Sequence, residues 1–217
     1  MILKDRVAIV TAAGSGIGRG GAEIMGREGA VVIATDLVAE RAEETARRIR
    51  DAGGRAEARQ LDVTKDADIQ RLIDFAATSF GRIDILHNHA GIQVEGTLEQ
   101  VPASGLDASY AINVRAHFVA AKAVLPHMKR QGKGVIINTS SNSGVFFDKG
   151  MLAYITSKTA VIAMTRQMAL DYGPDNIRVN ALCPGWVDTP FNEPYMRQMG
   201  GRAALEGYVK GRIPMGR

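Results

Sequence analysis

Short apolar runs rich in β-branched residues alternate along this chain with longer segments whose apolar residues recur every three or four positions. The short runs predict buried strands, and the longer segments predict amphipathic helices. Strands are predicted at residues 6–11, 30–36, 55–62, 83–91, 134–141 and 177–183. Helices are predicted after residue 18 and over 38–51, 65–80, 103–130 and 151–164. This alternation is typical of an α/β doubly wound parallel sheet with helices on both faces.

Two of these segments carry local features of their own. The long pattern at 103–130 is predicted to bend near its end at Pro126. Its predicted apolar side consists of Tyr110, Val114, Phe118, Ala121, Leu125 and Met128. Residues 186–217 contain Gly, Met and Pro and predict at most weak helix. Because there is no repeat and no linker, the 217 residues predict one domain spanning 1–217.

The overall composition is that of a globular protein, with 46% hydrophobic and 23% charged residues. The net charge of +4 comes from scattered positions, which indicates solvated faces rather than a basic nucleic-acid-binding stripe. The single cysteine, Cys183, excludes an internal disulfide and is expected to be a small buried apolar residue. There is no signal-like segment and no apolar run of membrane-spanning length, so the expected location is the cytoplasm.

A glycine-rich turn follows the first predicted strand and precedes a helix. Its Gly16 and Gly18 allow close backbone approach, and a helix amino terminus placed there can bind phosphate. An ordinary tight turn has the same appearance. Asp36 ends the second predicted strand 18 residues after Gly18, near the spacing at which a carboxylate meets the ribose 2′-hydroxyl of NAD. Its alternative role is to cap the helix at 38–51.

Tyr154 and Lys158 lie four residues apart in a predicted helix, so their side chains share one face. A phenol has a reference pKa of about 10, and a fixed ammonium nearby brings it toward neutral pH. Ser141 ends a predicted buried strand, at the edge where open α/β sheets bind ligands. Taken alone, the Tyr–Lys spacing is equally consistent with a surface helix.

Together, these motifs resemble those of the short-chain dehydrogenase/reductase family over essentially the whole chain. The family's Thr-Gly-x-x-x-Gly-x-Gly is matched from Thr11 to Gly18, with Ala12 in place of the first glycine. Its Asn-Asn-Ala-Gly is matched by 88–91, with His89 in place of the second asparagine. Its Asn-Ser-Tyr-Lys tetrad corresponds to Asn113, Ser141, Tyr154 and Lys158. Pro184-Gly185, with Val187 and Thr189 beyond, resembles the family's nicotinamide-contacting segment.

The resemblance implies a Rossmann-type fold and hydride transfer between NAD and a secondary alcohol or ketone. In the family's roles, Tyr154 exchanges the hydroxyl proton and Ser141 holds the reacting oxygen. Lys158 binds the nicotinamide ribose and lowers the pKa of Tyr154, helped by the cationic ring of the oxidised cofactor. Asn113 carries a water that links Lys158 to solvent. The implied cofactor-binding residues are Gly14, Ser15, Gly16, Ile17, Gly18, Asp36, Leu37, Asp62, Val63, Asn88, Ala90, Gly91, Thr139, Tyr154, Lys158, Pro184, Gly185, Val187 and Thr189. The acid at Asp36, with no basic residue at Ser15, predicts NAD rather than NADP.

Other classes of function compete with this one. A catalytically silent dinucleotide sensor or interaction protein can use the same fold, although it does not need the tetrad. A nucleic-acid-binding module is disfavoured because it would require a clustered basic surface. His87 and His89 project to one face of their strand and raise the question of a metal site. No metal is expected, because no carboxylate or thiol stands at a ligand-like spacing.

The substrate, the assembly and the chain end are expectations that rest mainly on the family. The substrate is a small-molecule alcohol or ketone such as a cyclic alcohol, a polyol or sugar, or an acyl ketone. Candidate pocket residues are Gln93, Val94, Asn142, Val145, Phe146, Phe147, Trp186, Phe191 and Tyr195. Family members usually form homotetramers and continue past 214–217 with a further helix and a seventh strand. A longer natural chain is therefore expected, since the apolar strand at 177–183 would otherwise be an open edge.

Overall fold

One parallel sheet of six strands forms the centre of the molecule. The structure is a computed structural model that describes residues 1–216. The strands are β1 (Val7–Val10), β2 (Val31–Asp36), β3 (Arg55–Gln60), β4 (Ile85–Asn88), β5 (Gly134–Thr139) and β6 (Ile177–Leu182). Their order across the sheet is β3-β2-β1-β4-β5-β6, and every neighbouring pair is parallel. The predicted doubly wound sheet is confirmed, with each strand somewhat shorter than its sequence pattern.

Helices follow the strands and cover both faces of the sheet. They are α1 (Gly16–Arg27), α2 (Ala39–Asp51), α3 (Asp66–Phe80), α4 (Ala103–Tyr110), α5 (Ala116–Gln131), α6 (Leu152–Tyr172), α7 (Glu193–Gln198) and α8 (Arg202–Arg212). Alternate residues of the central strands point to opposite faces, so two apolar clusters form. Ile9 and Leu86 pack with apolar residues of α3, α5 and α6, whereas Ala8 and Val10 pack with those of α1 and α2. In the described chain, no helix is both long and apolar enough to cross a membrane.

The strand order reverses direction at β1, because β2 lies on one side of it and β4 on the other. In an open parallel sheet, this reversal leaves a crevice outside the carboxyl ends of the two central strands. The segments that follow β1, β4 and β5 contain the glycine turn, Gly91 and Ser141, respectively. The topology therefore brings motifs that are far apart in sequence to one edge of the sheet.

The predicted helix at 103–130 is interrupted. A π-helical turn at Ala111–Arg115 separates α4 from α5, and Asn113 in this turn is fully buried. The wider turn inserts one residue into the helical repeat, so the apolar side before the turn is out of phase with the one after it. Tyr110, before the turn, is exposed, whereas Ala121 and Met128, after it, are buried as predicted. Phe118, also after the turn, is exposed, contrary to the prediction.

The segment after β6 differs from its prediction. Two helices, α7 and α8, replace the expected weak helix, and a pair of glycines with positive φ, Gly200 and Gly201, separates them. The two glycines adopt the positive φ angles that the turn between the helices requires, so the residues on either side can form helices. Cys183 is exposed rather than buried, because β6 ends at Leu182 and lies at the edge of the sheet.

A buried carboxylate ties the amino-terminal ends of β1 and β4 together. The side chain of Asp84, 5% exposed, accepts from the backbone N–H of Val7 at 3.0 Å. It also accepts from Arg6 at 2.9 Å and twice from Arg82 at 2.6 Å. Burial alone would raise the pKa of this carboxyl, but the hydrogen bonds from Arg82, Val7 and Arg6 hold the pKa below its usual value.

We predict that Asp84→Asn lowers the free energy of unfolding at pH 7 by about 3 kcal/mol, because it breaks a buried ion pair. Since the folded-state pKa is depressed, this stability is present above the unfolded pKa of about 3.9 and is lost as the pH falls through the folded value. Urea unfolding at several pH values should show that the difference in the free energy of unfolding between wild type and variant decreases in acid. The exposed Asp51, paired with Arg47, supplies the control, since Asp51→Asn should change little. A gap that does not depend on pH would contradict the prediction.

Candidate active site

A cavity of about 360 Å³ opens at the carboxyl edge of the sheet. Thirteen of the predicted site residues lie on its wall: Ser15, Gly16, Ile17, Asp36, Gly91, Thr139, Ser141, Tyr154, Lys158, Pro184, Gly185, Val187 and Thr189. Among the candidate substrate residues, Gln93, Asn142, Trp186, Phe191 and Tyr195 also line it. The structure thus joins the glycine turn, the strand ends and α6 in one continuous site.

Tyr154 and Lys158 are both buried on one face of α6, as their spacing predicts. The Lys158 Nζ lies 5.7 Å from the centroid of the Tyr154 ring. Ser141 follows β5, where its Oγ accepts from the backbone N–H of Ser143 at 3.1 Å and donates to Asn142 Oδ1 at 3.2 Å. This short turn fixes the serine hydroxyl beside the tyrosine on the cavity wall.

The ammonium of Lys158 is held at the end of β5. Its Nζ donates to the carbonyl oxygen of Thr139 at 2.9 Å, and the residue is only 3% exposed. Burial lowers the pKa of Lys158 to about 8, so the amine is still largely protonated at neutral pH. A Cβ on Gly91 would lie 3.1 Å from this Nζ and 3.1 Å from Asn113 Oδ1, which explains the need for glycine there.

The phenol of Tyr154 is desolvated by the surrounding protein. Burial raises the pKa of its phenol, and contact with the Ser141 hydroxyl counteracts this only in part. In the structure, Lys158 alone therefore does not bring the phenol toward neutral pH. The Lys158 ammonium donates to the carbonyl oxygen of Thr139 and not to the phenol, and desolvation of the phenol outweighs its hydrogen bond with Ser141.

The glycine turn presents a helix amino terminus to the cavity. Helix α1 begins at Gly16, which has a φ of +51°, and its N-cap residue Ser15 makes no side-chain capping bond. No acidic residue stands in the first helical turn. The first backbone N–H groups of α1 are therefore available to an anion such as a pyrophosphate. Gly18 allows α1 to approach, because a Cβ there would lie 2.2 Å from the carbonyl oxygen of Ala12.

Ala12 itself adopts a φ of +50°, a left-handed conformation at a position where the family has glycine. An alanine in this conformation costs about 1 kcal/mol relative to glycine. The turn keeps its shape despite this cost, because its neighbours fix it: Ala13 donates its N–H to Thr35, and Thr45 Oγ1 donates to the carbonyl oxygen of Ala13.

The carboxylate of Asp36 binds backbone N–H groups but does not cap α2, whose N-cap residue is Val38 and has no side-chain capping bond. Its Oδ2 accepts from the backbone N–H of Gly14 at 3.1 Å, and its Oδ1 accepts from that of Val38 at 3.0 Å, just before α2. The carboxylate also lies on the cavity wall, beside Arg41. A Cβ on Gly14 would meet both side chains, at 2.4 Å from Asp36 Oδ2 and 2.6 Å from Arg41 Cβ.

The other predicted site residues do not line the cavity; these are Gly14, Gly18, Leu37, Asp62, Val63, Asn88, Ala90 and Asn113. Most of them support the wall from behind. Asn88 donates to Asn138 and to the carbonyl oxygen of His117, and Asp62 accepts from Thr64. The Asn113 side chain bonds both backbone groups of Ile92 and the Ser157 hydroxyl. Its amide has no contact with Lys158 among the hydrogen bonds of the described residues.

Three ionisable residues of the wall were missed by the sequence analysis as site residues: Arg41, His89 and Asp148. A usable signal existed for His89, which departs from the family's asparagine, and for Arg41, which follows Asp36 in the first turn of α2. Asp148 is brought in by a loop that also carries Val145, Phe146 and Phe147. These three side chains are exposed and do not line the cavity, contrary to expectation, and neither does Val94.

The two strand histidines share a single hydroxyl. His87 Nε2 lies 3.1 Å and His89 Nδ1 lies 3.0 Å from Thr139 Oγ1. Burial lowers the pKa of His87 to about 4 and that of His89 to about 3, so both rings are neutral at pH 7. The Thr139 hydroxyl can donate its one proton to only one of the two imidazoles. The other imidazole must therefore donate to the hydroxyl oxygen. Within residues 1–216, no three His, Cys, Asp or Glu side chains group as metal ligands.

Comparison with known proteins gives consistent matches. The family model described as short chain dehydrogenase matches residues 6–200. The chain is 41% identical to 2-(R)-hydroxypropyl-CoM dehydrogenase of Xanthobacter autotrophicus, over 97% of this chain and 84% of that protein. It is 34% identical to meso-2,3-butanediol dehydrogenase of Serratia marcescens, over 92% and 78%. A crystal structure of levodione reductase superposes with a TM-score of 0.95 at 31% identity, covering 99% of this chain and 85% of that one.

The matching model covers most of the chain, and the same span carries the glycine turn, the Ser141 turn and the Tyr154 helix. The fold, the sheet order and the cavity agree with this match. The chain therefore belongs to the short-chain dehydrogenase/reductase family of oxidoreductases.

Proposed function

We propose that this oxidoreductase transfers a hydride between NAD and a secondary alcohol or ketone. The observation that carries the proposal is that Ser141, Tyr154 and Lys158 meet on the wall of the cavity into which the α1 amino terminus also opens. Relatives named for the dehydrogenation of alcohols, such as meso-2,3-butanediol dehydrogenase, support the reaction class. An oxygen that bonds to both Ser141 and Tyr154 would lie next to a dinucleotide bound at the carboxyl edge of the sheet.

The described residues fit a dinucleotide. The uncapped N–H groups at Gly16 and Ile17 suit its pyrophosphate, and Asp36 suits an adenosine ribose hydroxyl. The buried Lys158 ammonium, with the space left by Gly91, suits the second ribose. When bound, the nicotinamide accepts or donates the hydride.

The protein's own residues hold the substrate and move its proton. Ser141 donates a hydrogen bond to the reacting oxygen and fixes its position, which restricts the substrate to a reactive geometry. Tyr154 takes up the hydroxyl proton in oxidation and returns it in reduction. Lys158 places a positive charge near the phenol. Asn113 holds the π-helical turn against Ile92, and we propose that this turn carries the water that connects Lys158 to solvent.

A catalytically silent dinucleotide sensor is the alternative within this fold. It is disfavoured because a protein that only binds the dinucleotide has no need of the Tyr154 phenol beside Ser141 on the cavity wall. We further propose a homotetramer located in the cytoplasm. Exposed apolar side chains of α4 and α5, among them Leu106, Tyr110 and Phe118, support an assembly, and the single cysteine fits a reducing compartment.

Tyr154→Phe should lower kcat by about a hundredfold or more with NAD and a secondary alcohol, because general acid–base catalysis is lost. Binding of NAD should persist, since the phenyl ring still fills the site. Steady-state kinetics and NAD titration by calorimetry measure the two effects separately. Tyr172→Phe, at the far end of the same helix, is the matched control. Wild-type turnover by Tyr154→Phe would refute the assigned role.

The cofactor preference forms a second prediction. The wild type should use NAD at least tenfold better than NADP in kcat/KM, because Asp36 accepts from a 2′-hydroxyl and repels a 2′-phosphate. Asp36→Asn removes the charge but keeps an acceptor for Gly14, and it should reduce this preference. Arg41 is the one cation beside Asp36 on the described wall, so Arg41→Ala should disfavour NADP further. An NADP preference in the wild type would instead assign Arg41 as the phosphate-binding residue.

A further inference from the structure

A polar pair at the substrate end of the cavity takes no part in the chemistry proposed above. Gln93 lines the cavity, and its Nε2 donates to Glu95 Oε1 at 2.5 Å. The next residue, Gly96, bridges Met151, which packs with Tyr154 and Tyr195. The pair therefore lies on the side of the cavity where the substrate meets Tyr154.

Glu95 is unusual because its second oxygen, Oε2, is buried and has no hydrogen-bond partner among the described residues. A buried, unpartnered carboxylate oxygen is costly, and such groups in native proteins call for an explanation. No described cation forms a salt bridge with Glu95. The acid that lines the cavity near this pair, Asp148, is compensated, because it accepts from Tyr208 at 3.2 Å and lies 3.6 Å from Arg212 Nη1.

The carboxylate fixes the orientation of the amide. Glu95 Oε1 accepts from Gln93 Nε2, so the NH₂ group of the Gln93 amide faces Glu95. The Gln93 Oε1 then points elsewhere, and no described group donates to it. Gln93 thus presents an oriented acceptor at the cavity wall, and the adjacent carboxylate keeps it from flipping.

The charges of the wall favour the same kind of ligand. At the substrate end, the only described lining cation is the catalytic Lys158, since Arg41 lies beside Asp36 at the other end. The pKa of Tyr195 is raised by burial first, and then by Asp148 and Glu95, so the charge of Glu95 reaches the wall. This environment attracts hydroxyl donors and repels anions.

We propose that Gln93, oriented by Glu95, selects neutral substrates with a second hydroxyl beside the reacting one, namely vicinal diols and the matching hydroxyketones. The second hydroxyl donates to Gln93 Oε1 while the first meets Ser141 and Tyr154. In the oxidation, the carbinol C–H leaves as hydride to NAD, the O–H proton leaves through Tyr154, and the second hydroxyl is unchanged. Gln93 contacts the substrate, whereas Glu95 is a positioning residue. The inference rests on the proposed function.

The test compares three four-carbon substrates: meso-2,3-butanediol, 2-butanol and the anion 3-hydroxybutyrate. In the wild type, kcat/KM should be on the order of tenfold higher for the diol than for 2-butanol, and lowest for the anion. Glu95→Gln keeps the shape of the side chain but lets the amide turn, so the diol preference should fall severalfold, through KM rather than kcat. Gln93→Leu should abolish it. Glu99→Gln, an exposed site four residues away, should keep the wild-type ratios.

A second readout needs no turnover. Trp186, the single tryptophan, lines the cavity and reports ligand binding by fluorescence. The cofactor-free wild type should bind the diol more tightly than 2-butanol, and Glu95→Gln should bind the two nearly equally. The inference would be overturned if the preference for the diol over 2-butanol were the same in wild type and Glu95→Gln by both methods. A wild-type preference for 3-hydroxybutyrate would overturn it as well. Absence of turnover with every alcohol would instead refute the proposed function, and the fluorescence titration would still decide the selectivity.

Discussion

The hydrogen bond from the Lys158 ammonium to the carbonyl oxygen of Thr139 is the contact on which the site depends. It joins the middle of α6 to the last residue of β5, so Tyr154, one turn earlier, reaches the same edge of the sheet as Ser141. The ammonium is buried and must keep a partner. Gly91 leaves space for the ammonium. Asn113, which also lies next to Gly91, holds the π-helical turn against Ile92 through a hydrogen bond. The end of β5, the π-helical turn and α6 are thus arranged around the charge of Lys158.

The pKa values of Lys158 and Tyr154 indicate which part of the proton-transfer chemistry the protein supplies and which part is left to the cofactor. Burial lowers the pKa of Lys158 and raises that of Tyr154, so the two groups do not form a ready acid–base pair. A second positive charge is needed beside the phenol, and the ring of an oxidised nicotinamide supplies one. The helix amino terminus at Gly16 and the acceptor wall at Gln93 then have distinct tasks. In the proposed function, the helix terminus places the dinucleotide and Gln93 places the substrate.

Much of the fold and part of the site were predictable from the sequence. The β-branched runs predicted five strands, and the alternating pattern of 55–62 predicted the sixth. The Tyr154–Lys158 spacing, together with the family resemblance that added Ser141, predicted that these three residues would meet. The π-helical turn was not predictable, because apolar residues recur every three or four positions straight through 110–128 and give no sign of an extra residue. The exposure of Cys183 depends on where β6 lies in the sheet, and the pKa of Tyr154 depends on burial by distant segments. The orphaned oxygen of Glu95 is likewise a property of packing that no local pattern encodes.

The central claim is that Tyr154 becomes a proton-transfer group at neutral pH only when a cationic cofactor joins Lys158. The direct measurement is a tyrosinate absorbance titration of the wild type minus that of Tyr154→Phe, with and without oxidised NAD. The difference isolates the phenol of residue 154 from the other four tyrosines. Without the cofactor, its pKa should lie above the reference value of about 10, and with oxidised NAD it should fall well below that value. The same pKa in both states would contradict the account.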